Sequence, residues 1–315
     1  MLPPRYCSVS RLILTAIIWG MLLQACQPGI VQPTQINNTL VFSPSQTETP
    51  AATPTSQPIP TEIPTATPAP NLAELLDQSL IAGVDWYVGV ETADGERLYA
   101  RNTEETFFPA SLNNIPIAMV VLKILEYRGD TIEDIHTYGI GQNFSTLLER
   151  MVVDDDAYAT EVLTEFAEGY GRLRNYLNWW GLKDTFFYPR RTTVEDQLLA
   201  LKQIDSVEVL NEAFSNYLLQ LMGTAAENEE KFLGIGLEAL PGCTFYNKSG
   251  SLSSPMKTPT VISETGILKC DGQSWYIVIA GTPISGSSVF LKDVQSSIEQ
   301  FGKVFSEYIQ GYLSY

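Results

Sequence analysis

The stretch FPASLNNIP, residues 108–116, places a serine at the start of an apolar helix. From Ser111 to Tyr127 the chain is apolar nearly all round, which predicts a helix buried inside a domain. A serine hydroxyl there can serve as a nucleophile if a base lies within hydrogen-bond reach. Three residues on, one helical turn along the same face, stands Asn114, whose amide cannot take up a proton at any useful pH.

Residues 1–25 carry the features of an export signal. Arg5 and Arg11 form a positive region, and Leu12–Leu23 form an apolar core that is too short for an ordinary membrane-spanning helix. The core runs into LQAC, residues 23–26, which resembles the bacterial lipobox. The pattern predicts an exported bacterial lipoprotein, lipidated at Cys26 and held on the outer face of the cell membrane. A plain secretory signal with a chance cysteine is the alternative.

Residues 26–70 form the predicted linker. After Cys26 the segment is dominated by Thr, Pro, Ser and Gln and has too little apolar surface to offset the entropy of ordering. Its prolines favour an extended, semi-rigid spacer. We therefore expect a stalk that holds a folded domain away from the lipid.

The whole chain has a formal net charge of −17. Loss of the signal removes Arg5 and Arg11 and no acid, which leaves −19 for the mature protein. This charge argues against nucleic acid and against an anionic lipid surface as partners. The lipid anchor would then be the only membrane contact, and we expect a monomer.

The cysteines suit an oxidising compartment. Cys7 leaves with the signal and Cys26 is the lipid site, so Cys243 and Cys270 remain, flanking two predicted antiparallel strands. A disulfide between them is predicted, with two unpaired thiols as the alternative. Two cysteines and one histidine give no metal-ligand cluster, so neither a metal nor another cofactor is expected. His136 lies in a polar stretch and is interpreted as a surface residue.

Residues 71–315 predict one α+β domain. Helices are predicted near 71–82, 111–127, 144–153, 157–168, 172–180, 194–204, 207–222 and 289–312. Strands are predicted at 85–93, 96–101, 244–249, 260–268 and 274–280, with Asp94-Gly95 and Asp271-Gly272-Gln273 as hairpin turns. This order predicts an antiparallel sheet built from both ends of the chain, with the terminal helices on one face. The helical insert, about 108–242, would form the other half, with a cleft between the halves.

Further motifs follow the Ser111 stretch in a fixed order. They are MVVDDD (151–156), GLKDT (181–185), TT (192–193), LPGCT (240–244) and KSG (248–250). Together they resemble the motifs of the class A β-lactamase and penicillin-binding D,D-peptidase superfamily over the whole of 71–315. The resemblance implies that family's fold and a serine acyl-transfer chemistry on β-lactams or wall peptides.

The resemblance also implies roles for single residues. Ser111 takes the nucleophile position, and Asn114 replaces the family's lysine. In the family's S-D-N triplet the serine relays the proton. That serine aligns with Asp154, and the asparagine of the triplet aligns with Asp156. Asp154 as a substitute base is one interpretation, and a helix N-terminus before Ala157, where Asp is stabilising, is the other.

The family's deacylating glutamate lies on a loop before the TT motif. The corresponding interval, 186–191, contains no acid. Glu195 follows, but Thr192 to Glu195 has the pattern of a capping box at a helix start. Any acyl-enzyme is therefore expected to deacylate slowly.

The binding apparatus of the family is retained in the sequence. Lys248 and Ser249 are expected to face the cleft and attract a carboxylate of the ligand. The backbone N–H groups of Ser111 and Ser251 would form the oxyanion hole. An exposed strand lysine is the alternative interpretation of Lys248.

Three functions stay open at this point. The first is a pseudoenzyme that holds a small-molecule or peptide carboxylate at the cell surface, since losing one member of a catalytic unit costs ~10⁴ or more in rate. The second is a slow serine acyl hydrolase or transferase on β-lactams or wall peptides. The third is a structural surface lipoprotein with a vestigial cleft.

Overall fold

The computed structural model describes residues 71–228, 232–237, 240–252 and 260–313. These residues belong to the unit Thr65–Tyr315. The predicted signal, the lipid site Cys26 and the linker lie outside the described residues. None of the described helices is both long enough and apolar enough to cross a membrane.

The longer strands lie toward the two ends of the described chain, and its middle is mostly helical. The strands are β1 (Val84–Thr92), β2 (Arg97–Arg101), β3 (Gly139–Ile140), β4 (Gln142–Asn143), β5 (Phe186–Phe187), β6 (Arg190–Arg191), β7 (Cys243–Leu252), β8 (Val261–Cys270) and β9 (Gln273–Pro283). The helices are α1 (Leu72–Ser79), α2 (Asn114–Arg128), α3 (Ile132–Ile135), α4 (Phe144–Val152), α5 (Ala157–Phe166), α6 (Gly169–Trp179), α7 (Val194–Asp205), α8 (Glu212–Asn228), α9 (Leu233–Leu237) and α10 (Leu291–Leu313). A 3₁₀ turn, Ala110–Asn113, precedes α2.

Five strands form one antiparallel sheet in the order β2-β1-β9-β8-β7. Because β1 pairs with both β2 and β9, the N-terminal hairpin joins the C-terminal strands inside the sheet. This arrangement confirms the predicted α+β fold, with its sheet built from both ends of the chain. The KSG stretch lies on β7, at the edge of the sheet.

The tight turns and the cysteines fix the register at the ends of the strands. Between β8 and β9, Asp271 and Gly272 both have positive φ, +47° and +80°. Positive φ at both central residues is the requirement of a type I′ hairpin turn. Cys243 faces Cys270 across the β7–β8 pair, and a disulfide joins them.

One face of the sheet packs against α1, α9 and α10. Its core is a single set of buried apolar side chains, which includes Leu76, Trp86, Val88, Leu233, Ile279, Ile298, Phe301 and Phe305. The Trp86 indole is fully buried and donates its Nε1–H to the Ile81 carbonyl at 2.9 Å. Both terminal helices therefore lie on this face, as the sequence predicts.

The second core surrounds α2, on the other side of the sheet. Eleven of the fifteen residues of α2 are buried, which explains why the segment is apolar nearly all round. It contacts α4, α5, α6 and α8. The helix begins at Asn114, because the preceding residues form the tighter 3₁₀ turn that carries Ser111.

One helix begins later than predicted. The sequence predicts a helix from Val207, whereas α8 begins at Glu212. Val207 has a φ of +56°, whereas the residues of a right-handed α-helix have negative φ, so the helix cannot include it. The Asn211 side chain accepts the Phe214 N–H at 2.9 Å and so caps the first turn of α8.

Candidate active site

Ser111 lies where the 3₁₀ turn meets the edge strand. The residue before it, Ala110, has a φ of +50°, an uncommon conformation for a residue other than glycine. Ser263 on β8 donates its hydroxyl to the Pro109 carbonyl at 3.0 Å, which fixes the turn to the sheet. Such local strain is typical of functional sites.

Gly250 is required by the contact between β7 and this turn. A Cβ atom added to Gly250 would lie 2.7 Å from the Ser111 nitrogen and 3.3 Å from its Cβ. No side chain fits in that space without a shift of the backbone. The glycine of the KSG stretch therefore brings the edge strand, and with it Ser251, beside the predicted nucleophile.

Asn114 is buried and acts as a hydrogen-bond donor. Its Nδ2 donates to the Met151 carbonyl and to Asp155 Oδ1, both at 2.9 Å. These bonds tie the first turn of α2 to the end of α4 and the segment that follows. The side chain at the position of the family's lysine is thus committed to a structural role.

The three consecutive aspartates do three different things. Asp154 is exposed. Asp155 points to Asn114 and also forms an ion pair with Lys248, whose Nζ lies 3.1 Å from Asp155 Oδ1. The predicted alignment therefore needs a correction of one residue, because Asp155, and not Asp154, faces the other site residues.

Asp156 is the N-cap of α5. Its Oδ1 accepts the Ala159 N–H at 2.8 Å, and its Oδ2 pairs with the Arg150 guanidinium. The Ala159 N–H and, after it, the Arg150 hydrogen bond hold the pKa of this carboxyl below its usual value. This is the helix N-terminus that the sequence analysis kept as the alternative role of the aspartates.

Asp156→Ala is expected to lower the melting temperature by about 2–4 °C, because it removes both the cap and the Arg150 pair. Asp154→Ala is the matched control, since that exposed neighbour caps no helix, and its melting temperature should stay at the wild-type value. Thermal unfolding by circular dichroism measures both. Equal shifts for the two variants would contradict the assignment of the cap.

Lys248 is fully buried on β7, with none of its side-chain surface exposed. Successive Cβ atoms of a strand point to opposite faces. Lys248 and Gly250 therefore share the face that meets the 3₁₀ turn, and Ser249 and Ser251 alternate to the other face. Ser249 is 5% exposed and stands opposite Glu264, whereas Ser251 is exposed.

The loop before the TT motif also reaches the site. Asn113 donates its Nδ2–H to the Phe186 carbonyl at 3.1 Å, so this loop lies against the 3₁₀ turn. Tyr188, at the tip of the β5–β6 hairpin, is 87% exposed.

Glu195 is not part of the candidate site around Ser111. Its two carboxylate oxygens accept from the Arg97 guanidinium at 2.7 and 2.8 Å, and these hydrogen bonds lower the pKa of the glutamate. The N-cap of α7 is Thr193, whose hydroxyl accepts the Asp196 N–H. The predicted cap at Thr192 is therefore one residue too early, and Glu195 serves an ion pair.

The model of the beta-lactamase enzyme family matches residues 69–303. The chain belongs to this family. No curated protein sequence matches the chain.

Solved structures of β-lactamases share the fold of this family member. TLA-3 extended-spectrum β-lactamase is 18% identical with a TM-score of 0.63, and the match covers 76% of this chain and 98% of that chain. A β-lactamase from Chitinophaga pinensis is 16% identical with a TM-score of 0.61, covering 76% and 97%. A variant of PBP-A, described as an acyl-enzyme complex with penicillin G, is 17% identical with a TM-score of 0.61, covering 76% and 96%. At such low identities the likeness shows the fold alone.

This β-lactamase family member thus brings Ser111, Asn114, Asp155 and Lys248 into one neighbourhood and leaves Asp154 and Asp156 outside it. Where the family pattern has a lysine and a serine, this chain has the amide of Asn114 and the carboxylate of Asp155. Among the described residues, no cluster of three or more His, Cys, Asp or Glu side chains is arranged to hold a metal ion. His136 is exposed, where the sequence places it.

One buried carboxyl behind the site was missed by the sequence analysis. Glu264 on β8 is fully buried on the face covered by α9. It accepts the Leu233 N–H at 2.7 Å and a hydrogen bond from Asn247 Nδ2. Burial raises the pKa of Glu264 to about 7, against the lowering effect of these hydrogen bonds. The available signal was an acid in the middle of a predicted strand.

Proposed function

We propose that this family member is a catalytically impaired, surface-anchored homologue whose cleft holds a small-molecule or peptide carboxylate. Membership in the family supports a small-molecule ligand, and the similar PBP-A variant is itself an acyl-enzyme complex with penicillin G. The observation that carries the impairment is the pair of hydrogen bonds from Asn114 to Met151 and Asp155.

The chemical reason concerns the proton of the Ser111 hydroxyl. Attack on a carbonyl requires that proton to be taken up by a base in the transition state. Asn114 is a donor at the position where the family has the lysine, and Asp155 is engaged with Lys248. Among the described residues, the hydrogen bonds and the ion pair of the site do not involve the Ser111 hydroxyl. Within the part of the chain that the structure describes, Ser111 therefore keeps the nucleophile position but has no base to activate it.

Two measurements on the same purified protein test this proposal. Equilibrium dialysis with radiolabelled benzylpenicillin should show saturable, reversible binding. Spectrophotometric hydrolysis of the same β-lactam should stay at the rate of the Ser111→Ala variant. Hydrolysis well above that of the serine variant would refute the impairment, and the absence of saturable binding would refute the ligand-holding role.

A slow serine acyl hydrolase or transferase acting on β-lactams or wall peptides is the second candidate. Two observations favour it: the Asp155 side chain is 34% exposed beside Lys248, and Ala110 has its uncommon φ next to Ser111. In this case a covalent adduct would form over hours and would disappear in both Ser111→Ala and Asp155→Asn. The mass of the intact protein distinguishes the two candidates.

The cellular location is proposed from the N-terminal sequence, which lies outside the described residues. LQAC at 23–26 supports a lipid on Cys26, and the linker supports a stalk between membrane and domain. Cys26→Ser should move the protein from the membrane fraction to the soluble extracellular or periplasmic fraction. Retention of the variant in the membrane fraction would contradict lipid anchoring at this residue.

A further inference from the structure

We propose that Asp155 is an internal carboxylate held by Lys248 and that it sets which ligands the cleft prefers. Acidic ligands then bind Lys248 only by displacing Asp155, whereas neutral analogues do not compete with it. This inference rests on the ligand-binding cleft proposed above, and it concerns the class of ligand rather than turnover.

The two partners differ in exposure. The Lys248 side chain has no exposed surface, whereas 34% of the Asp155 side chain is exposed. A ligand that arrives from solvent therefore meets the carboxylate of the pair first. Lys248 can give its charge to a ligand only after Asp155 has moved aside.

Asp155 is fixed in this position by more than one contact. Its Oδ1 accepts both from Lys248 Nζ at 3.1 Å and from Asn114 Nδ2 at 2.9 Å. Its backbone has a φ of +54°, a conformation that Asp and Asn tolerate better than most other residues. Displacement by a ligand thus costs a charge-assisted hydrogen bond and a second one from the amide.

The charge balance of the site supports the same conclusion. The family pattern places lysine, serine and lysine at three positions that here carry Asn114, Asp155 and Lys248. Two formal positive charges in the family pattern correspond here to a formal net charge of zero. The neighbouring Asp156 is neutralised by Arg150, and Asp154 adds a further exposed negative charge. The site would therefore hold a carboxylate without the excess positive charge that, in the family pattern, would favour it over a neutral ligand.

The test compares benzylpenicillin with its methyl ester, which differ by one negative charge at the ligand carboxylate. The proteins are wild type, Asp155→Asn and the matched control Asp154→Asn, which removes one charge from the exposed neighbour. Asparagine keeps the shape of Asp155 and suits its positive φ. Affinities are measured by isothermal titration calorimetry, and the mass of the intact protein is checked for adducts in every sample.

Wild type and Asp154→Asn are expected to bind acid and ester within about threefold of each other. Asp155→Asn is expected to favour the acid by about tenfold or more, since a charge-assisted hydrogen bond is about twice as strong as a neutral one. Adding Lys248→Met to Asp155→Asn should abolish this preference. The serine substitution Asp155→Ser provides a second variant if the asparagine variant fails to fold.

Several outcomes would overturn the proposal. The first is a wild-type preference for the acid over the ester as large as that of Asp155→Asn. The second is an equal increase of this preference in Asp154→Asn. The third is the absence of acid binding by Asp155→Asn or Asp155→Ser at millimolar ligand. Hydrolysis or a covalent adduct in the wild-type protein would instead refute the proposed impairment and leave the acid-to-ester ratio as a separate result. The two failures are therefore distinguishable.

Discussion

The double variant Asn114→Lys/Asp155→Ser is expected to be acylated by benzylpenicillin at Ser111, at least about 10³-fold faster than wild type. It restores a base one helical turn after the nucleophile and a hydroxyl at the position that faces Lys248. The turn that carries Ser111 and its contact with Gly250 are already present. The gain is measured as the rate of adduct formation by mass spectrometry of the intact protein.

The single variant Asn114→Lys is expected to gain much less. A lysine at this position would lie beside the Asp155 carboxylate, which now accepts the Asn114 Nδ2–H at 2.9 Å. A neighbouring negative charge favours the protonated ammonium, and a protonated lysine cannot act as a base. Removing Asp155 is therefore part of the repair.

The double variant needs two controls. Adding Ser111→Ala must abolish the adduct, and thermal unfolding must show that the variant is folded. Serine at a φ of +54° costs about 1–2 kcal/mol, so a modest loss of stability is expected. A folded double variant that acylates no faster than wild type would show that more than these two positions has been lost.

The stability of the domain is expected to fall as the pH rises from about 4.5 to 7, because of Glu264. The pKa of this carboxyl is raised from its ordinary value of 4.5 to about 7 in the folded protein. Below pH 4.5 both the folded and the unfolded state hold the proton, and the contribution is fully present. Between the two values the unfolded state ionises first, so the free energy of unfolding decreases. Above pH 7 the loss is complete, at roughly 3 kcal/mol.

Glu264→Gln removes this titration, so the pH profiles of the two proteins should diverge. The free energy of unfolding of wild type relative to Glu264→Gln is expected to decrease by roughly 3 kcal/mol from pH 4.5 to pH 8. Urea unfolding at several pH values measures it. Exposed Glu161 provides the control, and Glu161→Gln should run parallel to wild type. A Glu264→Gln profile parallel to wild type would contradict the protonation of the buried carboxyl.

The architecture could be predicted because its signals are local. Asp94-Gly95 and Asp271-Gly272 predict hairpins, since glycine and aspartate tolerate positive φ. The apolar helix from Ser111 predicts burial on all sides, and α2 is buried in this way. By contrast, the start of α8 depends on the Asn211 cap, and the apolar residues Val207, Val209 and Leu210 before it hid this boundary.

The register of the site could not be read from the sequence. Asp154, Asp155 and Asp156 are chemically identical, so nothing in their side chains says which one faces Asn114. The cap geometry decides it, because Asp156 must sit one residue before α5 to accept the Ala159 N–H. Asp155 is then left in the positive-φ position that turns its carboxylate toward Lys248.

Contacts between residues that are distant in the chain could not be predicted from the sequence either. Glu264 meets the backbone of α9, which is 31 residues away from it in the chain at Leu233. Glu195 meets Arg97, which is 98 residues away. Whether such a carboxylate is catalytic, capping or paired depends on what the fold brings to it, and periodicity carries no information on that.

The central claim is that Ser111 has a nucleophile's position without a base, and the mass of the intact wild-type protein after exposure to benzylpenicillin tests it most directly. The account predicts an unchanged mass after hours at millimolar antibiotic, with the antibiotic recovered intact. Appearance within those hours of an adduct that is lost in Ser111→Ala, or consumption of the antibiotic faster than by Ser111→Ala, would contradict it.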